Sequence, residues 1–280
     1  MISFIKILRS HQWVKNLLLL FPPFFAGRLL SQSVVSAIIP SFFAFSLAAS
    51  CCYIINDIVD READRHHKIK KNRIIARGDV SVSLAVVIAI VLYVFSLLIA
   101  SSVSRRFEWF VILYLLISLS YTFFLKKLVI YDIFIVSFGF LIRVIAGGEA
   151  FQTKVTSWLF LTVFTVSLMM AAGKRLGELV SLGDDARDHR ITFFSYTPSF
   201  LEGTLWFSAS AALITYALYT VDHASGLFYT VPLAAFGLLR YVYIVKQGKG
   251  DPTEALLGDG HIMGAGILWV LTNGAIIYLK

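Results

Sequence analysis

Long apolar stretches separated by short polar ones run through almost the whole chain. Windows of about 20 residues that are apolar enough to cross a bilayer predict nine membrane spans. The stretches lack the two-residue alternation of strands, and helices satisfy their own backbone hydrogen bonds in lipid, so we expect an all-α integral membrane protein. The predicted spans lie near residues 14–29, 33–57, 80–101, 107–125, 130–150, 157–173, 201–221, 226–246 and 261–279. The first is the weakest, because Pro22 and Pro23 interrupt it.

The composition supports this interpretation. The 280 residues are 58% hydrophobic and 15% charged, whereas a soluble domain carries about 25% charged residues. The mean hydropathy of +0.78 excludes a soluble globular enzyme. We therefore expect residues 1–280 to form a single polytopic transmembrane domain.

The basic residues predict the orientation of the chain. With nine spans the two termini lie on opposite sides of the membrane, and most Lys and Arg residues fall on the side of the N-terminus. By the positive-inside rule, we expect a protein of the cell (inner) membrane whose N-terminus faces the cytoplasm and whose C-terminus lies on the outer side. The net charge of +8 is thus a topology signal, and we expect no nucleic-acid partner. The sequence makes no prediction of oligomeric state.

The acidic residues do not follow from this rule, yet most of them lie on the same side. The stretch "NDIVDREADRHHKIKKNR" at 56–73 ends an apolar run. On a helix, Asn56, Asp57, Asp60 and Asp64 fall within one arc of about 100°. Carboxylates grouped on one face repel one another, so the pattern predicts a divalent cation between them. Hard oxygen ligands indicate Mg²⁺, with Mn²⁺ able to substitute.

A protein magnesium site commonly uses one or two carboxylates together with substrate phosphates, so the acids predict a phosphorylated substrate and a cytoplasmic active site. The basic residues that follow can hold the remaining phosphate charge. A plain cytoplasmic loop explains these bases equally well, but it does not explain why the acids share one face. The substrate-binding candidates in this loop are Arg65, His67, Lys71 and Arg73.

Further substrate-binding candidates follow from position and charge. Lys15 has a structural alternative as a snorkelling interfacial cation, and Lys174 and Arg175 have one as charges that only set the orientation. Arg143 lies inside an apolar span, where a charge costs about 3 kcal/mol, so it is expected to face a cavity or a partner such as Asp132. The other candidates are Gln12, Lys15 and Asn16 near the membrane entry, Tyr121 and Lys126 near a helix end, and Lys174, Arg175 and Glu178 on one helical arc.

The pattern Asn56-Asp57-x-x-Asp60-x-x-x-Asp64 resembles the first acidic motif of the UbiA-type membrane prenyltransferase superfamily, and the resemblance covers essentially the whole chain. Within that superfamily the chain is most similar to the polyprenyl-phosphate phosphoribosyltransferases. The segments that carry this likeness are "RSHQWVKNLLLLFP" at 9–22, "YDIFIVSFGFLIRVIAGG" at 131–148, "GKRLGELVSL" at 173–182 and "RYVYIVKQGKGDPTEALLGDG" at 240–260.

The resemblance implies a helical bundle of about nine spans around a central cavity, with polar cytoplasmic loops. It also implies a reaction in which 5-phosphoribosyl 1-diphosphate and a polyprenyl phosphate of the decaprenyl type give a phosphoribosyl lipid and diphosphate. Such lipids serve cell-envelope glycan synthesis in the family. Asn56, Asp57, Asp60 and Asp64 are then the metal-binding and catalytic residues.

Two other interpretations remain. Asp184 and Asp188 reproduce the spacing of the second acidic motif of aromatic prenyltransferases, which use a polyprenyl diphosphate. If this pair binds a second metal ion, the diphosphate belongs to the lipid. A transporter is disfavoured, because polar residues near mid-membrane are expected in both halves of a transporter and only Arg143 clearly qualifies.

Overall fold

The computed structural model describes residues 6–66, 70–182, 196–223 and 226–279, and within these ranges all regular secondary structure is helical. Eight long helices dominate. They are α1 (Gln32–Val59), α2 (Val82–Val103), α3 (Arg105–Phe123), α4 (Tyr131–Ala150), α5 (Ser157–Leu182), α6 (Pro198–Asp222), α7 (Val231–Lys246) and α8 (Gly260–Tyr278). All eight are long and apolar enough to cross a membrane when the turn at Leu227–Thr230 is counted with α7. The all-α prediction is confirmed, and these eight helices correspond to the last eight predicted spans.

Short helical segments connect the long helices. Short α-helices form at Phe21–Phe25, Arg61–His66, Ile74–Arg77 and Pro252–Gly258, and 3-10 helices form at Ser10–Leu20, Lys70–Asn72, Leu125–Lys127 and Leu227–Thr230.

The first predicted span has an unusual conformation. Ser10–Leu20 is a 3-10 helix, and the α-helix that follows covers only Phe21–Phe25. A 3-10 helix rises about 2.0 Å per residue, so its 11 residues extend about 22 Å of a hydrocarbon core about 30 Å thick. The count of nine spans therefore stays a prediction.

The described residues divide into two compact units. The first contains Met1–Pro23, Leu29–Leu128 and Ile142–Lys154, and the second contains Phe24–Arg28, Val129–Leu141 and Val155–Lys280. The boundary passes through α4, so the first half of this helix belongs to the second unit.

In the first unit, α1 packs along α2 and α3. Small residues of α1, such as Ala44 and Ala48, are fully buried and allow close helix approach. Ser96 of α2 donates a 2.7 Å hydrogen bond to the Ala44 carbonyl, and Phe45 packs on Phe107 of α3. The helix whose C-terminal end carries Asn56 and Asp57 is thereby packed against both neighbours.

In the second unit, α5 and α6 pack along each other. Leu201 and Leu205 of α6 and Val245 of α7 are fully buried in its core. The loop after α7 returns to α5, where an added Cβ on Gly250 would lie 2.3 Å from the Gly173 carbonyl oxygen. This approach requires glycine, because any side chain there would collide with backbone.

Candidate functional site

The four predicted metal ligands lie at the C-terminal end of α1, which is the end predicted to face the cytoplasm. Asn56 and Asp57 belong to its last turn, Asp60 is the C-terminal cap, and Asp64 lies in the Arg61–His66 helix. The α-helix breaks at Asp60, yet the amide of Asp60 still donates to the Asn56 carbonyl (2.9 Å) and that of Asp64 to the Asp60 carbonyl (2.8 Å). The helical spacing assumed from the sequence is therefore nearly preserved.

Every carboxylate of this set contacts a basic side chain. Nη2 of Arg9 donates to both oxygens of Asp57, at 2.5 and 2.7 Å. Nη1 of Arg73 lies 3.1 Å from Asp57 and 2.6 Å from Asp64, so one guanidinium nitrogen bridges two carboxylates. Lys126 forms an ion pair with Asp60. We call these six side chains, three acidic and three basic, the acidic cluster.

Asn56 supports the same cluster from α1. Its amide nitrogen donates to Oδ2 of Asp60 at 3.0 Å, and its Oδ1 lies 3.5 Å from the hydroxyl of Thr122 on α3. Tyr121, the residue before Thr122, is half-buried. The end of α3 and the turn that carries Lys126 are thus neighbours of the metal-ligand candidates.

The donor set fits a magnesium ion in its chemistry, because it contains three carboxylates and one carboxamide oxygen. In the described part of the chain, however, no group of three or more His, Cys, Asp or Glu side chains is arranged to hold a metal ion as it is. The acids converge, since Asp57 and Asp64 share one nitrogen of Arg73. Both oxygens of Asp57 and one oxygen of Asp64 are bonded to cations.

Burial changes the acidity of one ligand candidate. Asp64 is 4% exposed, and burial raises the pKa of its carboxyl above the ordinary aspartate value. The adjacent Arg73 opposes this shift by favouring the ionised form, but it does not cancel it.

The basic substrate-binding candidates in the loop after α1 lie in different environments. Arg73 belongs to the acidic cluster, whereas Arg65 donates to the Ala76 carbonyl at 3.1 Å and pairs with Glu62 at 3.0 Å. Lys71 is exposed, and His67 lies outside the described residues.

Arg9 is a candidate site residue that the sequence analysis missed. Its partner Asp57 is 48 positions away, and no spacing rule connects them. The only sequence signal was that Arg9 opens the segment "RSHQWVKNLLLLFP". Its neighbour Leu8 is fixed on α1, because Ser50 donates to the Leu8 carbonyl at 2.7 Å.

The 3-10 conformation separates the three N-terminal candidates. Residues three apart lie above one another in a 3-10 helix, so Gln12 and Lys15 share one row and Trp13 and Asn16 share another. The second row packs inwards, where Trp13 donates to Ser50 at 3.0 Å and Asn16 to Ser46 at 2.9 Å. Gln12 and Lys15 are only partly buried.

Arg143 is buried in protein contacts. Its Nε donates to Oδ1 of Asn16 at 2.8 Å, its Nη2 donates to the Tyr114 hydroxyl at 3.0 Å, and its guanidinium lies over the rings of Phe45 and Tyr114. The prediction that Asp132 is a partner of Arg143 is wrong, because Asp132 is bonded to Arg175 and Tyr196 instead. Aromatic faces and neutral hydrogen-bond partners accompany the buried charge.

The second unit contains its own polar cluster around Asp132. The carboxylate of Asp132 is fully buried and accepts from Nε of Arg175 at 2.8 Å and from the Tyr196 hydroxyl at 2.6 Å. Arg175 also contacts Glu178 at 3.3 Å. Lys174 points elsewhere and pairs with Asp251 at 2.8 Å. This pair joins the segments "GKRLGELVSL" and "RYVYIVKQGKGDPTEALLGDG".

The model of the UbiA prenyltransferase family matches residues 20–263, which include α1 with its acidic end. The chain belongs to the UbiA prenyltransferase family. It is an integral membrane protein.

Relatives of this UbiA-family chain share its full length. It is 36% identical to decaprenyl-phosphate phosphoribosyltransferase of Mycobacterium tuberculosis over 282 residues, which cover 98% of this chain and 93% of the relative. It is 37% identical to the protein of the same name from Mycolicibacterium smegmatis, over 99% of this chain and 92% of that one.

The solved structures show the same fold. A UbiA homologue from Archaeoglobus fulgidus bound to DMAPP and Mg²⁺ matches with a TM-score of 0.76 at 16% identity, over 98% of this chain and 99% of that one. At this identity the likeness concerns the fold alone.

Proposed function

We propose that this UbiA-family protein transfers the 5-phosphoribosyl group of 5-phosphoribosyl 1-diphosphate to a polyprenyl phosphate of the decaprenyl type and releases diphosphate. The full-length identity to phosphoribosyltransferases of that name supports the substrates. The structural observation that carries the proposal is the acidic cluster, in which three carboxylates and three cations occupy one partly buried place. A metal-bound diphosphate requires both kinds of group.

The residues of the acidic cluster have distinct roles in this proposal. Asp57, Asp60 and Asp64, with Asn56, hold the divalent ion, while Arg9, Arg73 and Lys126 balance the charge of the diphosphate. When bound, Mg²⁺ supplies positive charge to the departing diphosphate. Related structures that contain Mg²⁺ or Cd²⁺ support a divalent metal, and we propose Mg²⁺ with Mn²⁺ as substitute.

The chemistry asks little of the protein beyond positioning and charge. The lipid phosphate is already an anion, so no strong base is required when its oxygen attacks C1 of the ribose. The bond from C1 to the diphosphate breaks as the new bond forms on the opposite face. Inversion at C1 is the expected stereochemistry.

Other predicted substrate contacts remain proposals. Gln12, Lys15, Tyr121 and Lys174 keep a proposed role at the substrate phosphates, as do the loop residues Arg65, His67 and Lys71. For Asn16, Arg143 and Arg175 we propose structural roles, because their side chains are buried and bonded to other protein groups. Glu178, which is half-buried, keeps a proposed role in substrate binding.

The proposal includes a place in the cell. We infer a single domain of nine spans in the inner membrane, with the N-terminus and the acidic cluster on the cytoplasmic side. The excess of Lys and Arg in the loops on that side supports this orientation. 5-Phosphoribosyl 1-diphosphate is a charged, soluble substrate, so its site needs access to an aqueous compartment.

A transfer assay tests the function. Purified protein receives Mg²⁺, a short polyprenyl phosphate and labelled 5-phosphoribosyl 1-diphosphate, and we expect a labelled lipid that disappears on metal chelation. Asp60→Asn is expected to abolish transfer in folded protein. Asp79→Asn is the matched control, because Asp79 pairs with the exposed Arg77 and lies outside the acidic cluster.

The aromatic prenyltransferase alternative makes the opposite prediction. Its distinguishing residues, Asp184 and Asp188, lie outside the described residues. Product formation only from a polyprenyl diphosphate and an aromatic acid would replace our proposal with this one.

A further inference from the structure

We propose that Arg9, Arg73 and Lys126 are exchangeable counter-ions, which neutralise the carboxylates of the acidic cluster and move to the diphosphate when a metal ion takes their place. The inference rests on the proposed function. Its consequence is that the divalent metal and the diphosphate bind together, each weakly without the other.

The first step of the argument is the occupancy of the carboxylate oxygens. Both oxygens of Asp57 accept from Arg9, and Oδ2 of Asp64 accepts from Arg73 at 2.6 Å. For Asp60, Oδ1 contacts Lys126 and Oδ2 accepts from Asn56 at 3.0 Å. Five of the six carboxylate oxygens thus have a basic or amide partner, and a metal ion that binds any of these five competes with that partner.

The second step is the charge balance. Three carboxylates face three cations, so the acidic cluster is neutral as it stands. A divalent ion alone would add positive charge and release cations that have lost their partners. A diphosphate alone would add negative charge beside three carboxylates. Only the two together leave every group with an opposite charge.

The third step is burial, which makes the balance strict. The side chains of Asp57 and Asp64 are 11% and 5% exposed, that of Asp60 is 29% exposed, and those of the three cations are 15–24% exposed. An unpaired charge in such surroundings is strongly disfavoured, whereas water would screen it at the surface. Arg65 does not qualify as a counter-ion, because Ala76 and Glu62 already hold it.

The three cations come from three separate parts of the chain. Arg9 precedes the 3-10 helix Ser10–Leu20, Arg73 follows the turn at Lys70–Asn72, and Lys126 lies in the turn after α3. Transfer of all three to one diphosphate would tie these segments to the substrate. Exchange therefore links recognition of the metal to recognition of the phosphate.

Binding of Mn²⁺ to the full-length protein tests the exchange without turnover. Mn²⁺ is titrated by electron paramagnetic resonance, with and without inorganic diphosphate, and the complex that the two form in solution is subtracted. For the unsubstituted protein we expect diphosphate to tighten Mn²⁺ binding at least about tenfold, within the usual range of coupling between two sites.

The variant Arg73→Gln gives the decisive sign. Removing this counter-ion frees Oδ2 of Asp64 and leaves Asp57 paired with Arg9 alone. Mn²⁺ alone is therefore expected to bind more tightly than in the unsubstituted protein, while the effect of diphosphate shrinks. If Arg73 were merely a structural contact, its loss would weaken both Mn²⁺ binding and the effect of diphosphate on that binding. The control Arg77→Gln removes an equal charge from an exposed pair with Asp79 and is expected to change neither.

The outcomes separate this inference from the proposed function. Equal Mn²⁺ affinity with and without diphosphate, or weaker Mn²⁺ binding in Arg73→Gln, overturns the counter-ion exchange while the transfer assay still stands. Absence of Mn²⁺ binding even with diphosphate overturns the metal role of the acidic cluster itself. If Arg73→Gln does not fold, Lys126→Gln applies the same test at Asp60.

Discussion

The Nε atom of Arg143 donates a 2.8 Å hydrogen bond to Oδ1 of Asn16, and both side chains are buried. The bond joins α4 to the N-terminal 3-10 helix across 127 positions of sequence. Asn16 in turn donates to Ser46 of α1 at 2.9 Å. One charged side chain thus fixes the segment that also carries Arg9, a member of the acidic cluster.

This contact predicts a stability defect for Arg143→Met. The substitution leaves the Asn16 oxygen and the Tyr114 hydroxyl without their donor, and each buried unsatisfied group costs about 1–3 kcal/mol. We expect a lower thermal midpoint in detergent. A KM increase with unchanged stability would instead indicate that Arg143 binds substrate. Arg106→Met, at a highly exposed arginine, is the control.

A second prediction concerns the close approach of α4 to the 3-10 helix. A Cβ on Gly147 would lie 2.0 Å from the Leu19 carbonyl oxygen, so Gly147→Ala requires backbone movement. We expect strong loss of stability and of transfer activity. Gly203→Ala is the matched control, because nothing lies within 4 Å of its added Cβ and alanine favours helix by about 1 kcal/mol. Equal melting temperatures for the two variants would contradict the packing.

The buried pair of Asp132 and Arg175 gives a third prediction. Removing one partner of a buried ion pair costs about 3–5 kcal/mol, because the other charge is left alone. We therefore expect Asp132→Ala to unfold at markedly lower temperature than the unsubstituted protein. Glu202→Ala, which breaks the exposed pair with Lys246, is expected to shift the midpoint little.

Tyr196 provides a finer test of the same cluster. Burial first, and then the hydrogen bond to Asp132, raise the pKa of its hydroxyl above the ordinary tyrosine value, which already keeps it protonated at neutral pH. The same hydroxyl accepts from the Ile130 amide, whose residue has a left-handed φ of 72°. Tyr196→Phe leaves a carboxylate oxygen and an amide without this partner. We expect the thermal midpoint to fall, but by less than in Asp132→Ala. The metal dependence of transfer is expected not to change.

A fifth prediction concerns pH. Burial raises the pKa of Asp64, and only its ionised form binds a cation well. As the pH falls, Mn²⁺ binding should therefore be lost at a higher pH than an ordinary aspartate would give. Arg73 lowers this pKa, so Arg73→Gln is expected to move the loss to still higher pH. Titration of Mn²⁺ binding against pH measures both effects. If binding fell at the same pH in the unsubstituted protein and in Arg73→Gln, a role for the pair of Asp64 and Arg73 would be excluded.

The acidic motif shows how far the sequence reaches into the site. Asn56, Asp57, Asp60 and Asp64 share one face because helical geometry is local, and the structure keeps their spacing through the backbone bonds at Asp60 and Asp64. The cations that hold them come from elsewhere. Lys126 and Arg73 were candidates by charge, but their pairing was not predicted, and Arg9 was missed.

The sequence by itself determined the apolar helices, the membrane setting, the family and the acidic end of α1. These follow from hydrophobicity and helical spacing, which act over a few residues. Only the tertiary structure decided that Arg9 reaches Asp57, that Arg143 pairs with Asn16 rather than Asp132, and that the first predicted span begins as a 3-10 helix. The partner of a buried charge depends on which helices pack together, and that is decided by contacts between residues far apart in the chain.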